Sequence, residues 1–318
     1  MGLFDWLRPA APLDHATQAL VDRAVDTVEP LLKTLPGYGR KLAPPVRHAF
    51  DYCERLALAI PGPIPITRSA FASEPLVHAL FGSADDIGTM LGRSQCVRTH
   101  LVNIDGLVAG QCCALLGMRH HEKAGFGAGL TGQVLRTDEP QRTLYFTDHT
   151  LAEPSPDLAA AHRRLARVMF DGLLKGFVAH VAEVRAERRQ LREEQALARA
   201  LRTSHADCES HTRRQAALQE RLRHTADALQ PPRLMETLAD YLAAPEESLR
   251  LDPIKLCVDR AGIIVNSDDK PANADTLRFV ELTSRDQRRW VVMIVQVDRD
   301  EARAAVQRLE EARRNIVF

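Results

Sequence analysis

FDGLLKGFVAHVAEVRAERRQL, residues 170–191, is the stretch on which the reading of this chain turns. Phe170, Leu174, Phe177, Val181, Val184 and Leu191 recur at spacings of four, three, four, three and seven. That is a heptad seam, with Arg188 at one of its core positions. Outward from it, Asp157 to Leu229 holds no proline and only Gly172 and Gly176, and it turns from apolar to densely charged. Asp157 suits a helix cap. Leu197 and Leu201 leave the register, Thr203 to Cys208 gathers weaker helix formers, and Leu218, Leu222, Thr225 and Leu229 resume it. The slip predicts either a stutter in one rod of roughly 110 Å or a turn joining two antiparallel helices. A helix of this length needs a partner helix to cover its apolar side. Pro231-Pro232 stops it, and a short helix over Leu234–Ala243 follows.

Upstream, Leu20, Val21, Ala24, Val25, Val28, Leu31 and Leu32 form an amphipathic stripe over Asp14–Leu35, which Pro30 kinks or splits. Pro44-Pro45 opens a second helix to about Ile60, with Val46, Ala49, Phe50, Cys53, Leu56 and Leu58 on its apolar side. Ser73-Glu74-Pro75 and Ser83-Ala84-Asp85-Asp86 are helix starts, the acids of the second favouring the helix dipole. Gln111–Met118 is a largely apolar run, a buried strand or a helix end. After a glycine-rich turn, Gln133–Arg136 and Arg142–Phe146 are expected to pair across Asp138-Glu139-Pro140. Near the end, Ile254–Val258 and Ile263–Val265 flank Asp259-Arg260-Ala261-Gly262. Leu277–Leu282 and Trp290–Val297 flank Ser284-Arg285-Asp286-Gln287. These predict two hairpins, followed by a helix over Asp298–Arg314.

The 42 Lys and Arg balance 42 Asp and Glu, so no net charge draws the 318-residue chain to nucleic acid. The alternating arginines and glutamates at 183–223 suit a solvated helix flank. The six cysteines, Cys53, Cys96, Cys112, Cys113, Cys208 and Cys257, show no paired spacing and are read as reduced thiols of a cytoplasmic protein. No apolar run is long enough to span a membrane. Leu3, Phe4, Trp6 and Leu7 can share one side of a short helix, a weak peripheral membrane contact or a docking segment.

His120, His121 and His149, with Glu122, Asp148, Cys112 and Cys113 nearby in sequence, are the candidate metal ligands, although no metal-ligand spacing links them. Gly127, Gly129 and Gly132 match G-x-G-x-x-G literally. A nucleotide loop needs a strand before it and a helix after it, and a strand is expected after this one. GLTGQVLRTDEP, residues 129–140, resembles the G-L-x-G-x-V…T-G-x-P signature of GAF sensor domains, with Asp138 in place of the second glycine. The resemblance implies a small domain holding a ligand over a β-sheet, ahead of a signalling helix.

The expected fold is α+β and mainly α. A segment at 1–9 precedes an α-rich domain with a β-hairpin region at 10–155. A long helix or helical hairpin follows at 157–230, then a short helix and linker at 231–248. A four-stranded antiparallel sheet with a C-terminal helix closes the chain at 249–318. The expected function is a non-enzymatic scaffold or adaptor, without a cofactor, that self-associates as a homodimer and engages a protein partner. Its interface would be Phe170, Leu174, Phe177, Val181, Val184 and Leu191. A ligand-sensing regulatory protein transmitting through the long helix, and a metal-dependent enzyme using His120, His121 and His149, are the alternatives.

Overall fold

A computed structural model describes residues 13–101, 110–131, 134–201, 208–265 and 274–316. The amphipathic start with Leu3, Phe4, Trp6 and Leu7 lies outside the described residues. In chain order the elements are α1 His15–Val28, α2 Tyr38–Ala59, β1 Ile64–Pro65, α3 Arg68–Ser73, α4 Pro75–Leu80 and α5 Ala84–Arg93. Then come β2 Gln111–Thr131, β3 Val134–Ser155, α6 Leu158–Leu201, α7 Cys208–Ala228 and α8 Pro231–Ala243. β4 Leu249–Val258, β5 Ile264–Val265, β6 Asp275–Ser284, β7 Arg289–Asp298 and α9 Arg299–Ile316 complete the order. The class is α+β, mainly α. No helix among the described residues is long and apolar enough to cross a membrane.

The chain divides into two units. One comprises Met1–Cys53 and Val168–Ser248, the other Glu54–Arg167 and Leu249–Phe318, so the division falls inside α2 and inside α6. The consecutive domains expected at 10–155 and 249–318 are thereby redrawn. The reason is strand pairing: β2 lies antiparallel to β7 from Gln111↔Asp298 to Met118↔Val291, which joins both regions in one sheet.

The first unit is helical. Asp14 caps α1, its Oδ1 accepting from Thr17 N at 2.9 Å. Pro30 ends the helix in a single 3₁₀ turn, because its ring cannot continue the ladder. Val21, Ala24, Val25, Val28 and Leu32 are buried, as the stripe predicts, whereas Leu31 faces solvent. α2 begins earlier than Pro44-Pro45 and carries both prolines inside it. The apolar side of α2 also differs from expectation: Ala57 is buried and Leu58 is exposed.

The long helix reverses. Arg221 Nη2 donates to Glu187 Oε1 at 2.8 Å across 34 residues. In an unbroken rod those residues would stand roughly 50 Å apart, so α6 and α7 form the helical hairpin; Thr203 to Ala206 lie outside the described residues. α6 also takes Arg23 on Asp171 and Arg185 on Glu29. Phe50 meets Phe170 edge-on at 5.7 Å, and Tyr241 packs on Phe177 at 5.2 Å while donating its hydroxyl to Leu173 O. Thus α1, α2, α7 and α8 all reach α6.

The second unit is a sheet with helices on its inner face. Strand order is β3-β2-β7-β6-β4-β5, and β1 pairs parallel with β7 at Ile64↔Val295. β6 pairs with β7 only over Val280↔Val292 to Thr283↔Arg289, so β1 occupies the same edge of β7 further along. The two outer strands approach each other: Thr143 bridges Ile263, and Leu144 N donates to Gly262 O at 2.8 Å. Cys112, Ala114, Leu116 and Met118 alternate inward on β2, as do Val291, Met293, Val295 and Val297 on β7. They meet Val77, Leu80, Phe81, Ile87, Leu91, Ala302 and Ala305 from α4, the following turn, α5 and α9. α5 and α9 cross closely at Gly92, where a Cβ would lie 2.8 Å from Ala305 O.

Both C-terminal hairpins form where their turn residues predict. Asp259 Oδ1 accepts from Ala261 N and Ile263 N at 2.9 and 2.8 Å, and Gly262 takes a φ of +78°. Ser284 N and Arg288 O close the second turn at 3.1 Å.

The hairpin of β2 and β3 departs from expectation. Thr131 pairs with Val134, so the reversal lies there and not at Asp138-Glu139-Pro140. The expected strands Gln133–Arg136 and Arg142–Phe146 are parts of one strand, and Pro140 sits opposite Phe126 inside it. Leu144 N points away from β2, toward Gly262 O. Pro140 has the same parity, so its missing N–H faces the outer edge and removes no β2–β3 bond.

Candidate functional site

Phe170, Leu174, Phe177, Val181 and Leu191 are buried within the single chain, and Val184 is half-exposed. The partner that a heptad seam demands is supplied by the chain's own helices.

The three histidines do not converge. His120 turns inward, its Nδ1 3.0 Å from Glu281 Oε1 but not aligned for a hydrogen bond. Glu281 is buried, and Arg289 Nη1 stands 3.8 Å from its other oxygen. His121, one residue on, faces the other side of the strand, hydrogen-bonded to Thr147 Oγ1 at 2.9 Å and stacked on Tyr145. His149 donates Nε2–H to Leu80 O at 2.8 Å and stacks on Phe81 at 4.8 Å. No group of three His, Cys, Asp or Glu among the described residues could hold a metal ion.

Gly127 and Gly129 of the G-x-G-x-x-G match lie on β2 with the strand β3 following, and Gly132 lies outside the described residues. The match therefore lacks the helix N-terminus that would bind a pyrophosphate. The side chains of 128–138, most of the GAF-like stretch, are outside the described residues.

Two cavities flank Phe81, Gly82 and Phe146. The first, of about 550 Å³, lies among α3, α4, β3 and the β4–β5 turn, with Glu74, His78, Asp259, Arg260 and Asp275 at its walls. Asp259 is already committed to its turn. The second, of about 700 Å³, lies between α5 and β3, lined by Asp86, Thr89, Met90, Arg93, Cys96 and His149 among others. Both volumes are in the range that small ligands occupy, about 300–1,000 Å³.

The second cavity is built by local rules. Ser83 caps α5 by accepting from Asp86 N at 3.3 Å and donates its hydroxyl to Asp86 Oδ2 at 2.9 Å. Asp86, Thr89, Met90 and Arg93 then fall on one helical face. Opposite them, a positive φ of 57° at Asp148 re-aims β3, and His149 follows it.

Burial pushes the His149 pKa down, only partly offset by the Leu80 carbonyl and by Asp86 and Asp148. The ring is therefore held neutral, with Nε2 protonated and Nδ1 left as an acceptor. Cys96 is half-buried at the cavity wall, its thiol pKa raised by burial and then by Glu153. Burial pushes Cys112 up to about 12, so that thiol stays protonated.

Sequence reasoning singled out His149 only as a candidate metal ligand and missed the residues that face it. Asp86 was legible only as an acid favouring the α5 dipole; Arg93 and Cys96 carried no spacing signal that tied them to a residue more than fifty positions away. No family model, curated protein or solved structure matches this chain.

Proposed function

We propose that this protein is a ligand-responsive regulatory protein whose sheet unit binds a small molecule in the cavity between α5 and β3. The observation that carries this reading is that cavity: about 700 Å³, with a neutral histidine, a thiol and both signs of charge set around Phe81, Met90 and Phe146. Few convergent polar groups on an apolar wall is the general character of a small-molecule site. A ligand held over an antiparallel sheet is also what the resemblance of residues 129–140 to GAF sensor domains implies. α6 starts three residues after β3 ends and runs on past Val168 into the helical unit, which makes it the proposed carrier of the bound state.

A homodimeric scaffold built on the α6 seam needs those side chains exposed, and the chain's own helices cover five of the six. A metal-dependent enzyme built on His120, His121 and His149 needs three rings that here have three separate sets of partners.

The test is a small-metabolite library screened by thermal shift on the full chain, followed by hydrogen exchange with any hit. A ligand at a hundred times its Kd adds about 2.7 kcal/mol. The expected result is new protection over Ala84–Arg93 and around His149, with altered exchange in α6. Protection confined to α7 and α8, or no stabilising compound at all, would contradict the proposal.

A further inference from the structure

The cavity beside α5 carries a statement about its ligand, one that rests on the ligand-binding reading above. Asp86 and Arg93 lie seven residues apart on the face that α5 turns to the cavity, about 10 Å along the helix axis. Helical side chains lean toward the N-terminus, so the long Arg93 side chain reaches back in the direction of Asp86.

The two nevertheless remain unpaired. Among the described residues Arg93 makes no ion pair, and the Asp86 carboxylate meets the Ser83 hydroxyl rather than a cation. Some charges of this unit do have partners, as in Arg68–Asp85, Arg142–Glu122 and Arg164–Glu153. The space between the two charges is walled by Met90 on α5 and by Phe146 and Leu151 on β3, all buried.

An anionic end, a cationic end and an apolar stretch between them match a molecule with the reverse pattern. We propose that this cavity binds a linear zwitterion of the ω-amino-acid class. Its ammonium group sits on Asp86, its carboxylate takes the two-pronged guanidinium of Arg93, and its methylene chain lies over Met90, Phe146 and Leu151. An α-amino acid holds its two charges too close together to reach both ends.

The experiment is isothermal titration of the full chain with 6-aminohexanoate, hexanoate, hexylammonium and glycine. The zwitterion is expected to bind at least tenfold more tightly than either singly charged probe, and glycine not to bind. Asp86→Asn should lower its affinity to that of hexanoate, and Arg93→Gln to that of hexylammonium. Both side chains are exposed, so melting temperatures of the unliganded variants should stay near wild type, which separates lost binding from lost fold. Equal affinity for the four probes, no heat with 6-aminohexanoate, or binding indifferent to both substitutions would overturn the proposal. If 6-aminohexanoate fails while a library compound protects Ala84–Arg93 from exchange, the ligand class falls and the regulatory reading stands. If nothing protects that segment, both fall.

Discussion

The helical unit and the sheet unit both spend their apolar side chains inward, but they are filled differently. In the helical unit Phe170, Leu174, Phe177 and Val181 are wholly or almost wholly buried, with Phe50 and Tyr241 packed on two of these rings. In the sheet unit the inner face is equally apolar over β2 and β7, yet α4 and α5 stand off β3 enough to leave cavities of about 550 and 700 Å³. A filled core serves rigidity; a core with lined gaps can exchange water for a ligand. On the proposed reading, the apolar-walled gaps place ligand binding in the sheet unit and leave the heptad seam a matter of stability.

The comparison breaks most sharply at Phe177. Truncation to alanine removes a fully buried ring beside Tyr241, and Phe177→Ala should cost about 3–5 kcal/mol in chemical denaturation. A loss below about 1 kcal/mol would mean that this core is loosely filled after all. At the α5–α9 crossing the space is tight in a different way. Gly92→Ala places a methyl 2.8 Å from Ala305 O, so the helices must part, at about 1–3 kcal/mol. Because α5 also lines the larger cavity, the same variant should weaken ligand binding; an unchanged melting temperature would show that the helices separate without strain.

Acid tests the cavity wall itself. The His149 pKa is lowered on folding, so below about 6.5 the unfolded chain takes up a proton that the folded chain refuses. Stability contributed by the neutral ring is complete above that value and is lost as pH falls toward the folded pKa. Denaturation midpoints measured between pH 8 and 5 should therefore decline for the wild type and decline less for His149→Phe, which keeps a ring against Phe81. Parallel declines would show that His149 is not the group that titrates. The smallest effect is expected at a turn. Gln287 holds a φ of 60°, a conformation that costs a side-chain-bearing residue about 1–2 kcal/mol, and glycine removes that cost while adding unfolded-state entropy. Gln287→Gly should raise stability by about 0.5–1 kcal/mol; a loss would contradict the strained turn.

The elements that the sequence made legible are those with local causes. Ser83 and Asp157 cap α5 and α6 by accepting from Asp86 N and Ala160 N, and each could be read from its own few residues. The turns at Asp259–Gly262 and Ser284–Gln287 were legible for the same reason. The β2–β3 ribbon was not. Arg119 to Lys123 shows no alternation because, beyond Met118, β2 loses β7 and pairs with β3 alone. Asp138-Glu139-Pro140 has the residue types of a turn, and only the pairing shows that the missing N–H of Pro140 faces away from β2. The site was half legible: His149 stood out by type, whereas its neighbours Phe81, Asp86 and Arg93 come from a helix and turn that only the fold brings beside it. The heptad spacing marks an apolar surface, and spacing cannot say whether its cover comes from a second chain or from the same one.

That last question is the most direct test of the account, because the cavity gains its functional weight from the seam being internal. Val181 is buried and Val184 half-exposed in the single chain. Val181→Glu and Val184→Glu should be compared by light scattering coupled to size exclusion and by urea denaturation. The account predicts that Val181→Glu loses about 3 kcal/mol or more, from a carboxylate buried without a partner, and that Val184→Glu loses well under 1 kcal/mol. Neither should convert a larger species into a stable, fully folded smaller one. A wild-type dimer that both substitutions split into well-folded monomers would contradict it, returning the seam to the surface and the function to assembly.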